Sequence, residues 1–371
     1  MRVLITGSNG FIGKNLKLRL KEEGEHEVLG FERGDPVGLL EELVHQADFI
    51  IHLAGENRPI DPQGFLEGNI YLTQALCEAV LKTGRSIPLI FTSSLQADES
   101  QSPYAKSKRS AEDLLAELST ASNSPVVIYR LANVFGKWIK PNYNSVVGTF
   151  CYNIARDLPI QIHDPSTAIK LIYIDDVIQD FMNRMFDLWN GVAYGQIQPE
   201  YSITVGDLAK KIEIFKYSRD TLVTERVGCG LTRALYSTYI SYLPPEKFSY
   251  SIPKYGDERG VFVEMLKTPD CGQFSYFTAL PGVTRGGHYH HSKTEKFLVV
   301  SGTARFGFRH MVTNECREIV TSGNAPEVVE TVPGWAHDIT NIGESEMVIM
   351  LWANEIFDRN HPDTIAAKVR L

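Results

Sequence analysis

Four side chains in the last quarter of the chain have the types and the spacing of a metal site. His288 and His290 lie two residues apart in a predicted strand, so their side chains point to the same face. Glu295 follows across a turn, and His337 follows the turn at Pro333-Gly334. Three imidazoles and one carboxylate form a donor set that suits Zn²⁺ or another divalent transition ion. We therefore predict a metal centre with these four ligands.

Single histidines in strands are usually ordinary core or surface residues, so the clustering of this residue type matters. Five of the ten histidines lie between His288 and His337. His291 and His310 fall outside the ligand spacing, and we do not expect them to bind the metal.

A second candidate site lies at the start of the chain. Gly7, Gly10 and Gly13 separate an apolar segment from a helical pattern, where a nucleotide-binding domain has its phosphate loop. The glycines permit a tight turn and a close approach of the backbone to a pyrophosphate. The N–H groups that begin the helix, from Phe11 and Ile12 onward, would face the phosphates. This pattern predicts a dinucleotide cofactor.

The cofactor type depends on two residues at the end of the second predicted strand. Glu32 favours NAD, because a carboxylate there can bind the ribose 2′-hydroxyl. Arg33 favours NADP(H), because its guanidinium can neutralise a 2′-phosphate. The pair is ambiguous, and we favour NADP(H).

A proton-transfer group follows the fourth predicted strand. Tyr104 and Lys108 are one helical turn apart, and an ammonium beside the phenol would lower the tyrosine pKa. Tyr104 would then exchange a proton with a substrate oxygen, to which Ser94 donates a hydrogen bond. Ser93 is the alternative to Ser94.

These motifs, together with His52-Leu53-Ala54-Gly55 and Tyr173-Ile174-Asp175-Asp176-Val177, resemble the extended short-chain dehydrogenases/reductases that act on nucleotide sugars. The resemblance implies that Leu53, Ala54, Gly55, Tyr104 and Lys108 line the cofactor. Dehydratases of this family carry acidic residues after the catalytic hydroxyl residue, whereas Leu95-Gln96 follows here. A reductase therefore fits better than a dehydratase.

The elements that position these residues fall into two patterns. In the first half, continuous apolar strands alternate with helices, which predicts an α/β doubly wound parallel sheet. After residue 245, strand signals recur every eight to twelve residues with turns between them, which predicts an all-β barrel. We place a reductase domain at 1–245 and a metal-binding domain at 246–371.

The second domain resembles two related kinds of barrel. Its histidine, glutamate and glycine spacing is similar to the signature motifs of cupins. The segment from Asp257 to Glu264 resembles the 4-keto-6-deoxy sugar-nucleotide 3,5-epimerases, and His288-Tyr289 and Lys296 match positions that act near the sugar in that family. Those epimerases do not use their histidine as a metal ligand, so the general base stays open. A C3 proton next to a C4 ketone becomes acidic when a cation, Zn²⁺ or Lys296, stabilises the enolate oxygen.

Composition excludes several partners. The net charge is −8 without a basic run, which argues against nucleic acid and anionic membranes. No apolar segment approaches the length of a membrane span, and we expect no signal peptide. The cysteines lack CxxC pairing, which predicts a reducing, cytoplasmic compartment.

The whole chain resembles a family of bifunctional capsular polysaccharide enzymes of the bacterial N-acetyl-L-fucosamine pathway, in which a reductase precedes a cupin. Segments such as Phe135-Gly136-Lys137-Trp138 carry this resemblance. It implies C3 epimerisation of a UDP-4-keto-2-acetamido-2,6-dideoxy sugar at a Zn²⁺ cupin, then NADPH-dependent C4 reduction to UDP-2-acetamido-2,6-dideoxy-L-talose. It also implies a homodimer formed through the barrels. The alternatives are an NAD-dependent 4-epimerase with a structural cupin and a non-catalytic nucleotide sensor.

Overall fold

The computed structural model describes residues 1–99, 101–187, 189–257, 260–263, 265–266, 268, 272–355 and 360–370. The chain forms two compact units, Met1–Val134 with Ile169–Ser202 and Phe135–Ala168 with Ile203–Leu371. Glu258, Arg259 and Glu264, which belong to the epimerase-like segment, lie outside the described residues, as does Cys271. Within the described part, no helix is long and apolar enough to cross a membrane.

Strands and helices alternate up to residue 135. They are β1 (Arg2–Thr6), α1 (Phe11–Glu23), β2 (Glu27–Phe31), α2 (Val37–Gln46), β3 (Phe49–His52), α3 (Gln63–Phe65), a π-helix (Leu66–Tyr71), α4 (Leu72–Thr83), β4 (Leu89–Ser94), α5 (Gln96–Glu99), α6 (Pro103–Ser122), β5 (Val126–Leu131) and β6 (Asn133–Phe135).

The middle of the chain is mainly helical and ends at residue 247. Its elements are α7 (Val146–Ala155), β7 (Ala168–Tyr173), α8 (Ile174–Arg184), β8 (Val192–Gly195), β9 (Tyr201–Thr204), α9 (Val205–Thr221), α10 (Gly230–Ser241) and a 3₁₀ helix (Pro245–Lys247).

After residue 247, the regular elements among the described residues are strands. They are β10 (Ser249–Ser251), β11 (Lys254–Asp257), β12 (Gly260–Val263), β13 (Gln273–Ala279), β14 (Thr284–Tyr289), β15 (Glu295–Ser301), β16 (Thr303–His310), β17 (Cys316–Ser322), β18 (Glu327–Glu330), β19 (Trp335–Asn341), β20 (Met347–Ala353) and β21 (Ile365–Ala366).

A six-stranded parallel sheet forms the centre of the first unit, in the order β2-β1-β3-β4-β5-β8. Every residue of β3 is buried, as expected for a parallel strand that is covered on both faces. The strand order reverses direction at β1, because β2 lies on one side of it and β3 on the other. The carboxyl ends of strands beside such a switch point are the usual ligand site of this fold.

Two five-stranded antiparallel sheets dominate the second unit. Their orders are β10-β18-β15-β20-β13 and β17-β16-β19-β14-β21. Aromatic side chains fill part of the interior: Phe248 packs edge-on against Phe308 and Trp335, with ring centroids 5.6 Å and 4.9 Å away. Strands β11 and β12 pair as a separate hairpin.

Both predicted fold classes are confirmed, since a parallel sheet precedes an antiparallel β region. The second unit contains α7, α9 and α10 as well as the β strands. The domain boundary between residues 245 and 246 remains a prediction.

Candidate functional site

The glycine loop of the first unit is shaped by close backbone contacts. Gly7 follows β1 with a φ of +72°, a conformation that favours glycine, and a Cβ there would lie 3.0 Å from the backbone of Ala54. A Cβ on Gly13 would lie 2.3 Å from the Gly7 carbonyl oxygen. Gly10 precedes α1, whose first residues are Phe11 and Ile12. The loop is therefore as tightly packed as a phosphate-binding turn requires.

The segment after β3 lies beside this loop. The N–H groups of Leu53 and Ala54 donate to the carbonyl and hydroxyl oxygens of Thr6, both at 3.2 Å. A Cβ on Gly55 would lie 3.3 Å from the Lys108 ammonium nitrogen. The structure thus brings Gly7, the segment Leu53–Gly55 and Lys108 close together at the carboxyl edge of the sheet.

The two residues that bear on cofactor type have different partners. The Glu32 carboxylate accepts hydrogen bonds from the hydroxyl of Ser8 and from the N–H of Asn9, at 2.7 Å for the latter. Glu32 is therefore engaged by the glycine loop itself. The Arg33 side chain is 84% exposed and forms an ion pair with Glu56 at 2.5 Å.

The two adjacent serines at the end of β4 have different partners, because successive residues of a strand face opposite sides. Ser93 donates to the buried Glu112 at 2.5 Å, whereas Ser94 is hydrogen-bonded to Tyr104. Glu112 also accepts a hydrogen bond from Arg130, whose Nη2 lies 2.7 Å from Glu112 Oε2. Ser94 is thus grouped with the phenol, and Ser93 belongs to a buried ionic network.

The ionisation of Tyr104 differs from the sequence-based expectation. Burial raises the pKa of Tyr104, and the bond with Ser94 acts in the opposite direction. Burial also lowers the pKa of Lys108 to about 8, opposed by Glu112. The Lys108 ammonium donates to the Thr92 carbonyl oxygen at 2.7 Å. The predicted lowering of the Tyr104 pKa is therefore wrong for the protein without cofactor, and the phenol is protonated at neutral pH.

Two supporting residues were missed by the sequence reasoning. Asn69 accepts from the N–H of Glu56 at 2.7 Å and donates to Ser107 at 2.8 Å, so it ties the segment after β3 to α6. Glu112 lies four residues after Lys108 on one face of α6, and this spacing was the available signal. Asn69 has no comparable signal, because its partners are 13 and 38 residues away.

The four predicted metal ligands lie together in the second unit. One ligand atom from each of His288, His290, Glu295 and His337 lies within 4.8 Å of all the others. His288 on β14 pairs in register with His337 on β19, and Glu295 begins β15 in the other sheet. Next to this pair, Gly286 has a φ of +92°, and a Cβ there would lie 3.0 Å from the His337 carbonyl oxygen. Glycine is needed there for the two strands to approach.

The charges in this group suit a cation. Burial, together with the neighbouring His337 and His290, lowers the pKa of His288 to about 3, so its imidazole is neutral at pH 7. Burial acts to raise the pKa of Glu295, but His290 and His337 outweigh it and hold the pKa well below the usual range. Neutral imidazoles and an ionised carboxylate are the forms that bind metal ions.

Hydrogen bonding provides a separate test of whether a metal fits. His290 donates from Nδ1 to the carbonyl oxygen of Asp363, and its Nε2 lies 3.1 Å from Glu295 Oε2. A neutral His290 would aim a lone pair at that carboxylate, so the arrangement calls for a proton or a cation between them. His337 Nε2 lies 3.5 Å from the same oxygen, and neither of its ring nitrogens makes a well-directed hydrogen bond within the described residues. The residues fit a bound divalent ion.

Lys296 is not brought to this group. Successive residues of a strand face opposite sides, so Lys296 points away from the side that Glu295 faces. Its ammonium donates to Glu330 at 2.7 Å and to the hydroxyl of Tyr250 at 2.9 Å. Arg219 of α9 pairs with the other oxygen of Glu330. The ammonium beside the ligands belongs to Lys293, which lies 3.0 Å from Glu295 Oε1.

The fold and the two sites define a class of two-domain enzyme. Residues 3–186 match the NAD dependent epimerase/dehydratase family, and residues 255–365 match the polysaccharide biosynthesis C-terminal domain. A nicotinamide cofactor is thus supported for the first of these domains.

Full-length relatives identify the family more closely. The chain is 58% identical over 369 residues, which cover 100% of this chain and 99% of the relative, to the UDP-2-acetamido-2,6-beta-L-arabino-hexul-4-ose reductase of Pseudomonas aeruginosa strain PA103. The structure of the present chain resembles that of the capsular polysaccharide assembling protein CapF of Staphylococcus aureus. The two are 39% identical, with a TM-score of 0.67 and coverage of 99% of this chain and 100% of CapF. A structure of CapF with the inhibitor 3-isopropenyl-tropolone matches with 37% identity, a TM-score of 0.63 and the same coverage. The chain belongs to the family that this reductase and CapF represent.

Proposed function

We propose that this protein converts a UDP-4-keto-2-acetamido-2,6-dideoxy sugar in two steps. The second unit epimerises C3, and the first unit then reduces the C4 ketone with NADPH to give UDP-2-acetamido-2,6-dideoxy-L-talose for capsular polysaccharide synthesis. The observation that carries the proposal is that one chain holds two separate groups of polar side chains. Ser94 and Tyr104 form one group, with Lys108 beside Gly55, and the four ligand residues form the other group in the β region.

The reduction follows from the state of Tyr104. A reduced nicotinamide, when bound, supplies the hydride for C4, and the ketone oxygen then needs a proton to become a hydroxyl. The raised pKa keeps the phenol protonated, so Tyr104 can donate that proton. Ser94, hydrogen-bonded to the phenol, holds the same oxygen in place. Lys108 stands beside Gly55 on the cofactor side of the group.

We propose NADP(H) rather than NAD on the basis of the two residues after β2. Glu32 accepts hydrogen bonds from Ser8 and Asn9 at one carboxylate oxygen, so it already has a role within the glycine loop, and the choice of cofactor rests on Arg33. The exposed Arg33 guanidinium can turn toward a 2′-phosphate, since an ion pair with so exposed a member contributes little stability.

The epimerisation requires removal of the C3 proton and its return to the opposite face. A divalent ion such as Zn²⁺, when bound, would stabilise negative charge on the adjacent oxygen. His288, His290, His337 and Glu295 would hold it, and Lys293 adds positive charge next to the carboxylate. The tropolone inhibitor of CapF supports this proposal, because tropolones carry adjacent oxygens that chelate divalent ions.

Three further assignments belong to the same proposal. The enzyme is cytoplasmic, it forms a homodimer through its barrels, and its reductase and cupin domains meet between residues 245 and 246. The exposed apolar side chains Phe274 and Tyr276 on β13, at the edge of one sheet, support the dimer. Size-exclusion chromatography with light scattering would test it, and a monomer would exclude it.

One incubation tests both reactions. The protein is mixed with a panel of UDP-4-keto sugars and either NADPH or NADH in D₂O, and the product is analysed for stereochemistry and deuterium position. We expect deuterium at C3, C4 reduction, and faster turnover with NADPH. A tightly retained NAD and turnover without added reductant would instead indicate a 4-epimerase. Cofactor binding without turnover of any substrate would indicate a sensor.

A further inference from the structure

The C-terminal segment of the second unit lies along the strand that carries two of the predicted metal ligands. In the pairing of β21 with β14, Ala366 is opposite His288 and Ile365 is opposite Tyr289. The N–H of Ala367 donates to the carbonyl oxygen of Gly287 at 2.9 Å. The segment that begins near residue 363 is therefore fixed to the metal-ligand strand by backbone hydrogen bonds.

Asp363, just before this pairing, binds the loop that joins β14 to β15. Its carboxylate accepts three consecutive backbone N–H groups, from His291 at 2.8 Å and from Ser292 and Lys293 at 2.7 Å each. It also accepts the Ser292 hydroxyl at 3.1 Å. Three convergent amides form a concave anion site, and a carboxylate that fills it holds all three residues in one conformation.

The same residue reaches one ligand directly. The Asp363 carbonyl oxygen accepts the Nδ1 hydrogen of His290, which leaves Nε2 facing the other ligand atoms. A metal-binding histidine is usually held in this way, because the partner of one ring nitrogen decides which tautomer is present and how the ring is oriented.

A second ligand is reached through the loop. Asp363 fixes the backbone of Lys293, and the Lys293 ammonium lies 3.0 Å from Glu295 Oε1. Oε2 of the same carboxylate then faces His290 and His337, at 3.1 Å and 3.5 Å from their Nε2 atoms. Displacement of the loop would therefore disturb both the imidazole and the carboxylate.

We propose that Asp363 is a positioning residue of the metal centre: its carboxylate fixes the loop 291–293 and its carbonyl oxygen orients His290. The inference rests on the proposed metal site and adds to it a residue that lies 26 positions beyond the last predicted ligand, His337. The hydrogen bonds of Asp363 go to the loop 291–293 and to Nδ1 of His290, so its assigned role is to position these groups rather than to bind the metal.

The test uses the full-length protein with Asp363→Asn. The amide keeps the size of the side chain but replaces an acceptor oxygen with a donor that faces other donors. We expect zinc affinity, measured by competition with a chromogenic chelator, to fall about 10–100-fold, as when other outer partners of metal ligands are removed. In the Co²⁺-loaded protein, we expect the visible absorption bands to change in position and intensity, which a merely looser fold would not produce.

Asp164→Asn is the matched control. Asp164 accepts a similar set of bonds in its own turn, from the N–H and hydroxyl of Ser166 at 2.8 Å and 2.6 Å and from the Thr167 hydroxyl at 3.0 Å. It is remote in sequence from every ligand. This variant should keep parental zinc affinity and the parental cobalt spectrum.

Asp363→Glu guards against a variant that fails to fold. It keeps the charge but moves it by one methylene, so its zinc affinity should lie between those of the parent and Asp363→Asn. Circular dichroism shows which of the two Asp363 variants is folded. If a folded variant binds zinc as tightly as the parent and has the parental cobalt spectrum, the role of Asp363 is wrong while the metal centre stands. Failure of the parent to bind zinc or cobalt would overturn the metal centre and this inference together.

Discussion

Two buried histidines show how differently the two units use the same side chain. In the first unit, His52 lies at the end of β3 between two threonine hydroxyls, 2.7 Å from Thr6 and 3.0 Å from Thr73. In the second unit, His337 has neither ring nitrogen in a well-directed hydrogen bond within the described residues. A buried polar group is stable when it is satisfied, so the protein itself satisfies His52, whereas the surroundings of His337 fit the ligand role proposed for it.

Two buried lysines also differ between the units, and here the residue assigned a structural role lies in the second unit. Lys108 of the first unit donates to a carbonyl oxygen beside the cofactor edge, and burial lowers its pKa to about 8. Lys296 of the second unit is bonded to a carboxylate and a phenol on the strand face that the metal group does not use. Residue type and burial alone therefore do not identify a reacting group. The two lysines differ in their partners, since Lys108 is bonded to a neutral carbonyl oxygen and Lys296 is part of a buried ion pair.

Tyr104→Phe is the change with the largest expected effect. It should greatly lower the activity of one unit and leave that of the other. Without the phenolic proton, the rate of C4 reduction should fall about 10²–10⁴-fold, the range for loss of a general acid. The C3 proton should still exchange with D₂O, because the ligand group lies in the other unit. Stopped-flow NADPH oxidation and NMR would measure the two rates. Loss of both together would show that the reactions are not separate.

His337→Ala is the converse experiment. Removal of a hydrogen-bond partner of a metal ligand weakens metal binding by up to roughly 100-fold. Loss of one of the four ligands themselves should weaken zinc binding by more than that. C3 exchange should fall with it, while the dissociation constant for NADPH stays at the parental value. Metal content by mass spectrometry and cofactor titration by fluorescence are the measurements. An unchanged metal content would remove His337 from the ligand set.

Lys296→Met tests whether the buried lysine of the second unit is structural. Removal of one partner from a buried ion pair typically destabilises by about 3–5 kcal/mol, and we expect roughly 3 because Arg219 still pairs with Glu330. Urea unfolding would measure this. The control Lys170→Met breaks an exposed pair with Glu200 and should change stability by less than about 1 kcal/mol. Loss of C3 exchange in folded Lys296→Met would instead restore its catalytic assignment.

The smallest expected effect per residue is a pH dependence of stability to which both units contribute. Burial lowers the pKa of His52 and of His288 to about 3 in the folded chain, so between that value and about 6.5 the unfolded chain binds more protons. The stability of the chelator-treated protein is therefore lost as the pH falls. Each histidine contributes about 2 kcal/mol between pH 6.5 and 5.

Urea unfolding at pH 7 and pH 5 would measure this loss. His52→Gln should remove the part of the pH-dependent stability loss that comes from the first unit. The part that comes from His288 in the second unit should remain. Equal free energies of unfolding at the two pH values in the parent would contradict the prediction.

The sequence predicts local parts of the structure better than distant ones. The glycine loop and the ligands His288, His290 and Glu295 are predictable because a strand or helix repeat or a single turn separates them, whereas His337 is predictable from its position after the turn at Pro333-Gly334. The partners that decide the role of each group are distant: Glu330 is 34 residues after Lys296, and Asp363 is 73 residues after His290. No periodicity connects such pairs. The burial of Tyr104, which reversed the expected direction of its pKa, likewise depends on packing rather than on its spacing from Lys108.

The alternation of β15 limits how this gene can change. Glu295 and Lys296 are neighbours with opposite charges, and the strand directs one to each side. Deletion of a single codon that moves Lys296 into the place of Glu295 would put an ammonium among the histidines and Phe297 opposite Glu330. Insertions and deletions should therefore be rare in β15 among descendants of this protein, whereas surface turns such as the one at Asp164 can vary in length.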